Sequence, residues 1–192
     1  MLWPKIVSFA LVSLCLARVH QAANQDSSAS CPTGFSRVAD KCLLVGAGWK
    51  NWFEGDRYCR TLNASLLSIR NQTEFNLINS YLPEFAAYEL ELWTSGNSLG
   101  DSQANYFWQS TGKEATYLPW ATGEPKRASG DCLSLTANYT MEAGGEVVLG
   151  EHRLTVRNCT LWGTVICETQ LTRYRTELCL NPNAFYEAQI PV

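Results

Sequence analysis

The sequence predicts an α+β domain built for export and stapled by disulfides. Two early segments have helical spacing, and short strands separated by turns fill the rest. Eight cysteines are spread along the chain, all but Cys15 behind an apolar N-terminal run. Helices followed by many short strands, with no alternation and no internal repeat, favour α+β over a parallel α/β order.

The N-terminus has the layout of a secretory signal. One basic residue, Lys5, precedes residues 6–16, which are apolar or small and carry no charge, and small residues follow at Ala17, Ala22 and Ala23. We expect a signal peptide over residues 1–23, cleaved between 17 and 23. A signal anchor is excluded by length, since a bilayer takes about 20 apolar residues. No membrane insertion is expected. Residues 24–30 are polar and small, a flexible lead into the domain. Roughly 170 residues remain, which suits one globular domain.

From Cys31 the character changes. Cys31-Pro-Thr-Gly-Phe35 and Lys41-Cys42-Leu-Leu-Val45 read as a hairpin closed by its own cysteines. Residues 51–62 have helical spacing, and Trp52, Cys59 and Leu62 share a face. Residues 64–69 read as a strand or extended link. A second helix is expected from Asn71, with Glu74 in the capping-box position, Phe75, Ile78 and Leu82 on one face, and Pro83 as the stop. After Glu91 the pattern turns to strands: residues 92–96, 106–109, 132–135, 146–149 and 161–168. Residues 171–192 form a C-terminal tail with an extra cysteine, Cys179.

Composition narrows the function. A net charge of −3 with no basic run leaves no electrostatic footprint for nucleic acid or anionic lipid. Past the signal seven cysteines remain, an odd number, and in an oxidising compartment they read as bridges rather than metal thiolates. Spacing alone leaves their pairing open. Four glycan acceptor sequons begin at Asn63, Asn71, Asn138 and Asn158, and each needs an exposed asparagine. Asn158, beside a cysteine expected to be bridged, is the least favourable of them. At Asn71 a glycan and a helix cap compete for one side chain. His20 lies at the signal, so His152 is the one imidazole expected in the mature domain, and we place it in a loop. With no nucleophile elbow and no His-Glu-x-x-His motif, enzymatic activity is not expected.

Cys31…Cys42, the helix with Cys59, Leu92-Trp93-Thr-Ser-Gly96, Phe107-Trp108, Trp120-Ala-Thr-Gly-Glu124-Pro125, Cys132, Cys159 and Val165-Ile-Cys167-Glu168 follow one another in the order of a C-type lectin-like domain. The resemblance covers residues 31–170 and is nearest to secreted insect C-type lectins. It implies two helices, short antiparallel sheets and a long ligand-binding loop region. It also implies the bridges Cys59–Cys167, Cys132–Cys159 and Cys31–Cys42. The first closes the longest loop and should stabilise by about 4–5 kcal/mol in the chain-entropy model.

In sugar-binding members a Glu-Pro-Asn segment, a nearby acid and a Trp-Asn-Asp segment hold one Ca²⁺, which binds two sugar hydroxyls directly. Ca²⁺ takes six to eight oxygen ligands. Here Glu124 and Pro125 are present, and the resemblance implies a cis peptide between them. The next residue departs: Lys126 replaces the asparagine, and an ammonium has no acceptor to offer a cation. Asp131 offers a carboxylate one residue out of register, and Leu154-Thr155-Val156 stands where Trp-Asn-Asp belongs. Glu124 and Asp131 are thus the candidate metal ligands of a weakened or lost calcium site. The opposing reading draws replacement carboxylates from Glu142, Glu146 and Glu151. Glu124, Lys126, Arg127 and Asp131 are the candidate ligand-binding residues, with Trp120 or Tyr117 as an aromatic face unless these are core. The resemblance implies an extracellular protein that binds a glycan or glycoprotein. The alternative is calcium-independent protein recognition in a disulfide-linked or other extracellular complex, a dimer through Cys179 being one form of it.

Overall fold

The computed structural model describes residues 29–82, 91–141, 143–145, 147–172, 174–181 and 184–191. The expected signal and most of the lead lie outside the described residues, as do Pro83, Glu142 and Glu146. The chain divides into two compact units, Cys31–Leu171 and the terminal segments.

Both helices begin where the sequence places a cap. Helix α1 (Trp52–Thr61) opens on a complete capping box: Asn51 Oδ1 accepts from the Glu54 N–H at 2.9 Å, and Glu54 Oε2 accepts from the Asn51 N–H at 3.2 Å. Trp52 and Cys59 are buried and Leu62 is half-buried. Helix α2 (Gln72–Tyr81) is capped by Asn71, whose Oδ1 accepts from the Glu74 N–H at 3.0 Å. The expected second half of that box does not form, because Glu74 has stronger claims on it. Its carboxylate accepts from the Arg70 N–H at 2.6 Å and pairs with Lys41 Nζ at 2.8 Å. Phe75, Ile78 and Leu82 are buried together, as the spacing predicts.

Among the described residues, nine strands of the larger unit form one sheet: β1 (Ser36–Val38), β2 (Lys41–Val45), β3 (Ser65–Leu66), β4 (Glu91–Asn97), β5 (Phe107–Trp108), β6 (Lys113–Glu114), β7 (Cys132–Met141), β8 (Val147–Arg157) and β9 (Thr164–Gln170). The order β1-β2-β9-β4-β5-β6 is antiparallel except at β9–β4, while β3 joins β9 and the β7–β8 hairpin joins β4. The period-two alternation of strands splits neighbouring residues between two cores. Leu43, Leu67, Leu92 and Ile166 enter one with Phe75, Ile78 and Leu154; Leu66, Trp93 and Val165 enter the other with Trp52 and Cys59. The Trp93-Thr-Ser-Gly96 run is explained residue by residue. Trp93 Nε1 donates to the Lys50 carbonyl at 2.9 Å, Thr94 Oγ1 to Leu133 O at 2.8 Å and Ser95 Oγ to Leu67 O at 3.0 Å. A Cβ on Gly96 would lie 2.7 Å from Leu133 Cδ1, so a side chain there would have to displace Leu133.

The three bridges connect as the resemblance implies. Cys59–Cys167 ties α1 to β9 across 108 positions, Cys132–Cys159 spans 27, and Cys31–Cys42 closes the β1–β2 hairpin across 11. An ionic cluster lies where β2, β9 and α2 meet: buried Lys41 Nζ lies 2.5 Å from Glu168 and 2.8 Å from Glu74, and exposed Arg70 pairs with Glu74 at 3.0 Å and with exposed Asp40.

Two expectations change. The short strands expected at residues 132–135 and 146–149 are parts of longer ones: β7 and β8 run ten and eleven residues as one hairpin, turning at Gly144 and Gly145, both at positive φ. His152 is not a loop residue. It lies buried on β8, where its N–H donates to Asn79 Oδ1 at 2.9 Å and so docks α2. In the other unit Ser30 and Thr172 exchange two backbone hydrogen bonds of 3.1 Å, and the expected tail folds as an antiparallel hairpin of β10 (Tyr174–Asn181) and β11 (Ala184–Pro191).

Candidate functional site

The loop between β6 and β7 enters the sheet edge at Trp120, which bridges Leu154 of β8, and leaves it at Asp131. The Glu124–Pro125 peptide is cis, as the resemblance implies. Glu124 Oε2 accepts from the Lys126 N–H at 2.7 Å and from the Val156 N–H at 3.2 Å. One carboxylate oxygen thus ties the loop to itself and to β8. A short 3-10 turn, Arg127–Ser129, follows, and Gly130 at φ 143° passes so close to Arg157 that a Cβ would lie 2.4 Å from its carbonyl oxygen.

Three of the four candidate residues, Glu124, Arg127 and Asp131, are brought near Tyr106. Burial pushes the Tyr106 hydroxyl above its usual range; Arg127 opposes that shift, while the charges of Glu124 and Asp131 add to it. Arg127 Nη1 donates to Gln103 O at 3.0 Å, and its guanidinium lies 5.9 Å from the Tyr106 ring centre. It therefore pins the 3-10 turn to the preceding loop. Asp131 accepts from Ser98 twice: its carbonyl takes the N–H at 2.8 Å and its carboxylate takes the hydroxyl at 3.3 Å. Lys126 is exposed, and no ion pair holds its ammonium among the described residues. The aromatic candidates are engaged in packing. Trp120 meets Tyr106 edge to face at 5.3 Å, and Tyr117 packs on Phe75 and donates to Gln72 Oε1 at 2.8 Å.

These residues do not fit the calcium chemistry of the family. Val156 is buried in the core and carries no side-chain oxygen. Thr155 Oγ1 is engaged with the hydroxyls of Ser134 at 3.0 Å and Thr136 at 2.8 Å. Glu124 already serves two backbone donors. Of the replacement carboxylates, Glu151 pairs with Arg153 at 2.5 Å, and the other two lie outside the described residues. No group of three or more His, Cys, Asp or Glu able to hold a metal forms among the described residues.

Sequence reasoning missed Tyr106 and the Val156 N–H. Tyr106 was absorbed into a strand with Phe107 and Trp108, and a backbone donor leaves no mark in a sequence. Of the glycan acceptors, Asn63, Asn71 and Asn158 are exposed, and Asn138 lies on β7 with its side chain outside the described ones. Cys179 falls on β10 opposite Tyr186.

Comparison with known proteins agrees with this architecture. The family model described as Lectin C-type domain matches residues 49–169. Lithostathine-1 of Mus musculus is 32% identical over 112 residues, which cover 57% of this chain and 66% of the relative, just under two thirds of its length. C-type lectin 37Db of Drosophila melanogaster is 32% identical over 105 residues, 54% of this chain and 67% of that one. The crystal structure of human lithostathine superposes with a TM-score of 0.61 at 22% identity, covering 78% of this chain and 99% of that chain. No helix among the described residues is long and apolar enough to cross a membrane. With the family model matched over more than half of its length, the chain belongs to the C-type lectin domain family.

Proposed function

We propose that this protein is a secreted, non-enzymatic recognition module that binds carbohydrate or glycoconjugate at the Glu124–Asp131 loop without calcium. The double acceptance by Glu124 carries the reading. A carboxylate that would be a metal ligand instead saturates two backbone donors, so the loop is organised by the chain itself. Lys126 projects from that loop as an exposed cation. It suits sugar hydroxyls or acidic substituents rather than a metal.

A glycan array read with calcium and with EDTA tests this. We expect signals that survive the chelator and fall for Lys126→Ala; signals abolished by EDTA overturn it. An array blank in both arms, with a protein ligand captured at the same loop, favours protein recognition instead. We further propose that Cys179 forms an intermolecular bridge. A non-reducing gel should then show twice the reduced mass, and a monomer in both lanes removes the idea.

A further inference from the structure

Four large apolar side chains stand exposed on two neighbouring segments of the larger unit: Trp49 (67%), Trp162 (58%), Leu161 (46%) and Phe53 (41%). The segments are tied backbone to backbone. Lys50 and Gly163 exchange hydrogen bonds of 2.9 and 3.0 Å, with Trp49 and Trp162 each one residue away, and the Trp52 N–H donates to Cys159 O at 3.0 Å. Single exposed apolar residues are ordinary, but a gathered group marks a surface that something covers.

The same segment carries an acceptor sequon, Asn158-Cys159-Thr160. Asn158 Oδ1 accepts from both the N–H (3.0 Å) and the hydroxyl (2.9 Å) of Thr160. Asn158 and Thr160 are exposed, although Cys159 between them is bridged and buried. Oδ1 is held in this turn, while Nδ2 makes no hydrogen bond among the described residues. The Leu161 N–H donates to Asn158 O at 3.0 Å, closing a four-residue turn with Asn158 and Leu161 at its two ends. The turn places their Cα atoms within about 7 Å.

We propose that Asn158 is N-glycosylated and that the first sugars of its own glycan lie over the Leu161–Trp162 end of this patch. In the transfer, Nδ2 displaces the leaving group of an oligosaccharide carried on a lipid diphosphate. The Nδ2–C1 bond forms, the C1–O bond breaks, the lipid diphosphate departs, and Nδ2 loses one proton. The C–H face of a pyranose is complementary to an indole face, whose π-cloud carries negative charge. The occupant is therefore carried by the chain beside the surface it covers. This inference shares only the export reading with the proposed function and is independent of the ligand at Glu124.

The test uses the full chain secreted from a eukaryotic host. Mass spectrometry of glycosidase-treated peptides reads occupancy at each sequon, and we expect Asn158 occupied. Asn158 bare, whether or not Asn63 or Asn71 is occupied, overturns this proposal alone, since recovery of the chain from the medium already upholds the export reading. Thr160→Val and Asn158→Gln then remove the acceptor at exposed positions, with the melting temperature as the check on folding. Both should raise hydrophobic-dye binding and acrylamide quenching of tryptophan fluorescence, and adding Trp162→Ser should reverse the gain. Unchanged dye binding and quenching in the aglycosylated variants means the glycan does not cover the patch.

Discussion

Glu124 is half-buried, and one of its oxygens serves two backbone donors. Glu124→Ala leaves the Lys126 and Val156 N–H groups short of an acceptor, which should cost about 1–3 kcal/mol in urea unfolding. Lys126→Asn restores the family residue at one position but supplies no oxygen at Val156. It should give no rise in melting temperature at millimolar calcium, whereas a tight native-state site would raise it. Glu74 behaves differently. Burial raises its pKa, but hydrogen bonds from Arg70 and Lys41 outweigh burial and hold it below its ordinary 4.5; Arg70 holds Asp40 low in the same direction. A carboxylate with a depressed folded pKa contributes stability that is complete above its unfolded value and lost as pH falls through the folded one. Urea stability should therefore be flat from neutrality to about pH 5 and fall below it, with a shallower acid limb in Glu74→Gln.

At the scale of elements, the sequence is most legible where a local signal and a tertiary need coincide. Helix α2 is read from Asn71 and the Phe75–Ile78–Leu82 spacing because its cap and its buried face are both local. The α1 capping box went unread, though Asn51 and Glu54 carry its signature. Asn51→Ala should cost about 1 kcal/mol, measured by chemical denaturation. The β7–β8 hairpin was under-read for a physical reason. Ser134, Thr136 and Thr155 alternate with Leu133, Leu135, Leu154 and Val156, which is the local strand signal, but the full length of the hairpin is set by cross-strand pairing out to Met141 and Val147, which no local pattern shows. His152 was misplaced with it, since the strand that carries it is docked to α2 by a backbone N–H donating to Asn79, a contact that leaves no mark in the sequence. The site was legible in its composition, because Lys126 and Thr155-Val156 stand out against the family pattern. Its geometry was not: Arg127 is engaged with Gln103 and Tyr106, and residues far apart in sequence set that. At Asn71 the feared competition dissolves at the level of atoms. The cap uses Oδ1, while a glycan would use Nδ2.

Across the whole molecule, α1 and the last strand of the larger unit are joined by Cys59–Cys167, and the loop region is anchored by Cys132–Cys159. Losing the 108-position bridge by paired Cys59→Ala and Cys167→Ala should cost about 4–5 kcal/mol in the chain-entropy model, read as a lowered urea midpoint. The shorter bridge has another effect. The exposed turn at Gly144 and Gly145 lies between Cys132 and Cys159, so the bridge spans the place in that hairpin most open to a protease. A cut there severs the chain but releases nothing. The nicked molecule should run intact without reductant and fall into two fragments with it, the opposite signature to a Cys179 dimer, which loses half its mass on reduction yet stays one species. The turn is thus a place where cleavage leaves both halves fastened together.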